Sequence, residues 1–137
     1  MNNVKVVYAT KTGHSRKIAQ AIAQKLNVEP MNIKENPQIK EVDLLFIVGG
    51  IYGGQSLPEL IQFAESLDKD KVGKVALITS CTSKNTPQSL VRTKLLEKGV
   101  TVVDDEFICQ GNFLFFGLGH PNKSEINDAV EYSKRLL

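Results

Sequence analysis

The run Leu44-Leu45-Phe46-Ile47-Val48 is apolar at every position and is closed by Gly49-Gly50. A strand with one wet face alternates apolar and polar residues. One that is apolar on both faces has to be covered on both, which is the condition of an interior strand in a parallel sheet. This strand is therefore expected at the centre of a sheet with helices on either side. Val4 to Ala9 is a first apolar strand, and Gly13 to Leu26 sets Ile18, Ile22 and Leu26 at helical spacing. Val28 to Ile33 is a weak second strand, and Pro30 within it lacks the N–H that an interior ladder needs, which puts it at an edge. Pro58 to Leu67 reads as a helix with Leu60, Ile61, Phe63, Ala64 and Leu67 inward. Lys74 to Ser80 follows as a fourth strand, Gln88 to Lys98 as a helix stopped by Gly99, and Val100 to Cys109 as a long fifth strand. Ser124 to Leu137 is a terminal helix with Ser124 as its N-cap. Five strands alternating with helices imply right-handed crossovers and a doubly wound parallel α/β sheet.

A chain of 137 residues with 42% hydrophobic residues suffices for one core, so residues 1–137 are expected to form a single domain. Leu44 to Val48 and Phe113 to Phe116, the longest apolar runs, are far too short to cross a bilayer, and no signal-like segment precedes the first strand. These features point to a cytoplasmic protein that does not engage membranes. With 17 Lys and Arg against 15 Asp and Glu, and no block of like charge, nucleic acid is not an expected partner. Cys81 and Cys109 lack the spacing of a redox pair and are too few for a metal site. They are read as two buried free thiols, with reversible pairing as the alternative should both lie near strand ends on one side of the sheet.

Between the first strand and the first helix stands Thr10-Lys11-Thr12-Gly13-His14-Ser15. Five of these six residues offer hydroxyl or imidazole hydrogen bonds or an unencumbered backbone, at the point where unpaired N–H groups and the positive end of a helix dipole converge. An anion belongs there. Neither the Walker string nor the glycine fingerprint of dinucleotide-binding proteins occurs in the chain. A helix cap alone explains one hydroxyl well, but not three around a glycine.

The order hydroxyl, any residue, Thr, Gly, any residue, hydroxyl resembles the phosphate loop of flavodoxins, in which small hydroxyl residues and backbone amides wrap the phosphate of FMN. The tail, Phe107-Ile108-Cys109-Gln110-Gly111 followed by Gly119-His120-Pro121-Asn122 and a helix, is similar to the end of single-domain bacterial members of that family. The resemblance covers nearly the whole chain. It implies a flavodoxin-like three-layer sandwich with a five-stranded parallel sheet in the order 2-1-3-4-5, and a ligand crevice at the carboxyl ends of the first and third strands. It also implies an FMN-dependent electron carrier that shuttles electrons between a reductase and an acceptor redox enzyme, with no catalytic residue and no metal of its own.

Carried over by position, Thr10, Lys11, Thr12, Gly13, His14 and Ser15 would hold the phosphate. Gly50, Ile51, Tyr52, Gly53 and Gly54, in a loop running from Gly49 to Ser56, would meet the ring, and Ser80, Cys81, Thr82 and Ser83 would border its other side. Tyr52 reads either as a ring contact or as a packing tyrosine, His14 as a phosphate ligand or an exposed helix start. His120 reads as structural. Phe113-Leu114-Phe115-Phe116 is either buried against the sheet edge or an apolar docking patch.

Electron-transfer flavodoxins are usually acidic, whereas this chain is formally +2 and clusters Lys11, His14, Arg16 and Lys17 around the phosphate loop. Positive charge there is expected to make the more reduced flavin couple less strongly reducing than in acidic relatives. Other uses of the fold meet obstacles in particular residues. A response regulator needs a carboxylate where Gly49 stands, and a low-molecular-weight phosphatase needs Arg where Pro87 and Phe115 stand. A small FMN-dependent NAD(P)H oxidoreductase remains an alternative, as does an activator or binding module of the same fold that has lost tight FMN binding.

Overall fold

The computed structural model describes residues 3–10, 13–52, 55–81, 88–110 and 123–137. In chain order the elements are β1 (Val4–Tyr8), α1 (His14–Leu26), β2 (Pro30–Asn32), a 3-10 turn (Ile33–Glu35), β3 (Val42–Tyr52), β4 (Gln55–Ser56) and α2 (Pro58–Glu65). They continue with β5 (Val72–Cys81), α3 (Ser89–Glu97), β6 (Thr101–Val102), β7 (Phe107–Gln110) and α4 (Lys123–Arg135). The sheet order is β2-β1-β3-β5-β6, with β7 also on β5 and β4 folded back on β3. Because β6 and β7 share one position, this is the expected order 2-1-3-4-5 of a flavodoxin-like fold. Among the described residues every pairing is parallel except that of β3 with β4.

β3 is central, and Leu45, Phe46, Ile47 and Val48 are fully buried. Its residues part alternately between two cores, as strand geometry requires. Leu44, Phe46 and Val48 join Ile18, Ile22, Ala129 and Tyr132 of α1 and α4, whereas Leu45 and Ile47 join Leu60, Ala64, Val91 and Leu95 of α2 and α3. β2 is the edge strand its proline called for, with Pro30 opposite Val6. Of the residues expected inward on α2, Leu60, Ala64 and Leu67 are buried and Ile61 and Phe63 partly so, although the helix ends at Glu65.

The alternation of strands and helices breaks at the second crossover, where residues 33–41 hold only the 3-10 turn. Asn36 leaves that turn with a left-handed φ of 51°, and Pro37 behind it disfavours helical geometry, so the turn cannot propagate. Ile33 and Ile39 from this stretch are buried in place of a helix face. A groove of about 620 Å³ lies between it and α2 and shares no residue with the expected site.

The third strand does not stop at Gly49-Gly50. Gly49 and Gly50 pair with Thr79 and Ser80, and Ile51 and Tyr52 turn back against Ser56 and Gln55. Gly50, Ile51 and Tyr52 are therefore strand residues rather than loop. The reason Gly49 is tolerated is packing: a Cβ there would lie 2.5 Å from Leu60 Cδ2 and 2.8 Å from Gln88 Oε1. A glycine in a strand marks close approach as readily as a strand end.

The fifth strand is split. Val75 faces Val102 and Ile78 faces Phe107, so three steps along β5 oppose five along its partner, leaving two extra residues in a bulge. Asp104 and Asp105 are natural occupants of such a turn. The bulge is clamped from both layers. Arg92 Nη1 of α3 donates to Val103 O at 3.0 Å, and the Tyr132 hydroxyl of α4 donates to Asp105 O. α4 begins at Lys123, which puts Ser124 inside its first turn rather than at the cap.

Tyr132 is 3% exposed and packs against Phe107, ring centroids 5.6 Å apart. Burial, reinforced by the charges of Asp105 and Glu106, pushes its phenol up to about 12 from 10.0. The unfolded chain thus loses this proton first, and the stability that the neutral phenol contributes is present below pH 10 and lost as pH rises towards 12. Denaturant titrations should show the stability gap between the wild type and Tyr132→Phe narrowing across that interval. Gly49→Ala should lower stability by about 1–3 kcal/mol, the usual cost of forcing a methyl into a filled core, read as a lower urea midpoint at unchanged slope.

Candidate functional site

β1 sends its chain to α1 on one face of the sheet and β3 sends its chain to α2 on the other, so the crevice between their carboxyl ends is a topological switch point. Ala9 N donates to Val48 O at 3.0 Å, which brings the β1 exit beside Gly49 and Gly50. The turn that follows is held by a side chain. Gly13 N donates to Thr10 Oγ1 at 2.7 Å, and Gly13 takes φ 89°, a left-handed conformation glycine adopts without penalty, as the N-cap of α1. Lys17 N closes the first helical bond onto Gly13 O at 3.2 Å.

Ser15, in the first turn, has no exposed surface, and its Oγ is buried without a hydrogen-bond partner. A buried hydroxyl left unpaired costs about 1–3 kcal/mol, so such an atom at a helix N-terminus points to a group that the bare chain does not contain. The first turn carries no acidic residue and no side-chain cap. Arg16 and Lys17 there are exposed cations at the positive end of the dipole, an arrangement that is unfavourable until an anion joins it. Donors without acceptors, a glycine-turned backbone and nearby cations suit a phosphate.

The other two segments meet at the same edge. Gly50 and Ser80 are neighbours across β3 and β5, Ser80 and Ser56 are buried, and Ile51 is 9% exposed. Thr10, Gly13 and Ser15 thus stand together at one strand end and Gly50, Ile51 and Ser80 at the adjoining ones. His14, Tyr52 and Cys81 are placed by their backbones alone, at the start of α1 and the ends of β3 and β5. Lys11, Thr12, Gly53, Gly54, Thr82, Ser83, His120 and the stretch Phe113, Leu114, Phe115 and Phe116 lie outside the described residues. The cysteines are offset: Cys109 stands opposite Ser80 and Cys81 opposite Gln110, so positions 81 and 109 fall on opposite faces of the sheet rather than on one side.

Six polar residues are buried among those described, and Ser15, Ser56, Thr79, Ser80 and Gln88 of them gather at this carboxyl edge. Thr79 and Gln88 were not foreseen, nor was Glu106. Gln88 Nε2 donates to Ile78 O and to Thr79 Oγ1, both at 3.1 Å, while its Oε1 is buried without a partner. Glu106, its side chain only 6% exposed, accepts from Thr79 Oγ1 and, at 2.8 Å, from Gln88 N. Nothing local distinguishes Glu106 from the acidic turn before it, and Gln88 reads as an ordinary helix start. Among the described residues no cluster of three or more His, Cys, Asp or Glu could hold a metal, and no helix is long and apolar enough to cross a membrane.

The chain matches the family model of the flavodoxin domain over residues 5–134. A search of curated protein sequences finds no match. Among solved structures, a short-chain flavodoxin associated with a non-canonical PDU bacterial microcompartment superposes with a TM-score of 0.73 at 18% identity, over 98% of this chain and 95% of the other. Oxidised flavodoxin 2 from Bacillus cereus gives 0.70 at 16% identity, over 96% and 95%. The NAD(P)H:quinone oxidoreductase from Methanothermobacter marburgensis gives 0.70 at 12%, over 98% and 95%. At such identities the structural likeness speaks for the fold, while the family match spans all but the two ends of the chain. The protein belongs to the flavodoxin family.

Proposed function

We propose that the protein binds FMN at the switch point and carries electrons between a reductase and an acceptor redox enzyme. The observation that carries this reading is the buried, unpartnered Ser15 Oγ at the start of α1, in a turn shaped by Thr10 and Gly13 and free of acids. Thr10, Lys11, Thr12, Gly13, His14 and Ser15 would hold the phosphate, with Arg16 and Lys17 offsetting its charge. Gly50, Ile51, Tyr52, Gly53 and Gly54 would meet one side of the ring, and Ser80, Cys81, Thr82 and Ser83 the other. When bound, FMN supplies the redox chemistry, taking up and releasing electrons singly or in pairs. The protein's share is to hold the phosphate, keep water from the ring and set the charge around it. Phe113, Leu114, Phe115 and Phe116 are proposed as an apolar docking patch for redox partners, and the cytoplasm as the compartment.

A small FMN-dependent NAD(P)H oxidoreductase is the second reading, favoured by the likeness to the quinone oxidoreductase from Methanothermobacter marburgensis. Purified protein is expected to bind added FMN tightly, with quenching of flavin fluorescence, and to show little steady-state NAD(P)H oxidation without a partner. Failure to bind FMN at high concentration would overturn the assignment, and rapid unaided turnover would favour the oxidoreductase. Ser15→Ala should weaken FMN roughly 10–100-fold, the worth of one hydrogen bond to a charged group, and leave riboflavin, which lacks the phosphate, nearly unaffected.

A further inference from the structure

We propose that Glu106 is a positioning residue for the flavin ring, locking the end of β5 to the start of α3 without touching the cofactor. This rests on the FMN reading above. A carboxylate this deeply buried is costly unless its oxygens are met by donors, and here they are: Thr79 Oγ1 and Gln88 N on one oxygen, Arg92 Nη2 at 3.4 Å on the other. One side chain thus ties two elements to the segment that carries it. Thr79 belongs to β5, Gln88 is the N-cap position of α3, and Arg92 stands one turn further along that helix.

α3 has no acidic residue in its first turn, and its own N-cap side chain makes no capping bond. Glu106 fulfils both roles from the segment just before β7, facing the positive end of the helix dipole and accepting one of its free N–H groups. The connection extends further through Gln88. Its side chain crosses over Gly49, where a Cβ would come within 2.8 Å of Oε1, and donates to Ile78 O and Thr79 Oγ1. Thr79 and Ser80 are in register with Gly49 and Gly50. Glu106 therefore fixes, through Thr79 and Gln88, how the β3 end, the β5 end and the α3 start are spaced around the proposed ring site.

Stability alone does not call for such a cluster, since apolar residues of similar volume commonly serve a buried position as well as a charge network does. What directional bonds add is a fixed separation. The two-residue bulge before β7 is the device that turns Glu106 inward, and Arg92 and Tyr132 hold that bulge by Val103 O and Asp105 O.

The test compares FMN and riboflavin affinity, by fluorescence quenching well below the melting temperature, in wild type, Glu106→Gln and Ser15→Ala. Glu106→Gln is expected to weaken FMN and riboflavin by the same factor, roughly tenfold, the low end for outer partners of a bound group, and to shift the visible spectrum of the bound flavin. Ser15→Ala moves FMN alone. A folded Glu106→Gln with unchanged affinities and spectrum, whatever its melting temperature, overturns the proposal and leaves Glu106 a stabilising residue only. Should Glu106→Gln not fold, Thr79→Val, which keeps the volume and removes the hydroxyl, carries the same expectation and the same refutation. If wild type binds neither flavin, the FMN reading itself has failed, and the inference with it.

Discussion

From Leu44 to Ile51, β3 has water on neither face, and most of the architecture is a response to that. A strand buried on both sides needs partners along both edges for its backbone and an apolar layer above and below for its side chains. β1 and β5 provide the first. α1 with α4, and α2 with α3, provide the second. Because the strands run parallel, each connection has to return to the opposite end of the sheet. Loops of variable chemistry therefore collect at the carboxyl edge, while the amino edge is left with short returns.

The same burial explains why the polar residues lie where they do. The two cores are apolar throughout their middle, and buried hydroxyl and amide groups concentrate where β1, β3 and β5 leave the sheet. The Ser15 hydroxyl is buried there without a partner. Gln88, Thr79 and Glu106 instead satisfy most of one another's needs across three elements. One part of the carboxyl edge thus keeps a hydroxyl and a helix start without partners, while another is closed among its own donors and acceptors.

Similarity to other flavodoxins at 16–18% identity is what such a construction allows. An interior strand asks for apolar residues without specifying which, so the layers tolerate exchange provided volume and patterning persist. The second crossover manages without a helix because Ile33 and Ile39 reach the core from an irregular stretch, and the cations of the α1 turn stand where no core contact constrains them.

The strands and helices, the edge position of β2 and the hydroxyl turn after β1 were legible in the sequence because each rests on residues within a few positions of one another, whereas the sheet order came from the resemblance to flavodoxins. Apolar periodicity, a proline's missing donor and a glycine beside hydroxyls act locally. What only the tertiary structure decided depends on distant partners. Gly49 looked like a strand end and is a gap filled by Leu60 and Gln88. Asp104-Asp105-Glu106 reads as the interior of one long strand but is a two-residue bulge followed by a glutamate that turns inward to Thr79, Gln88 and Arg92. A glutamate's sequence neighbours do not record whether donors 18 and 27 positions away will surround it, and that surrounding alone makes burial of its charge affordable.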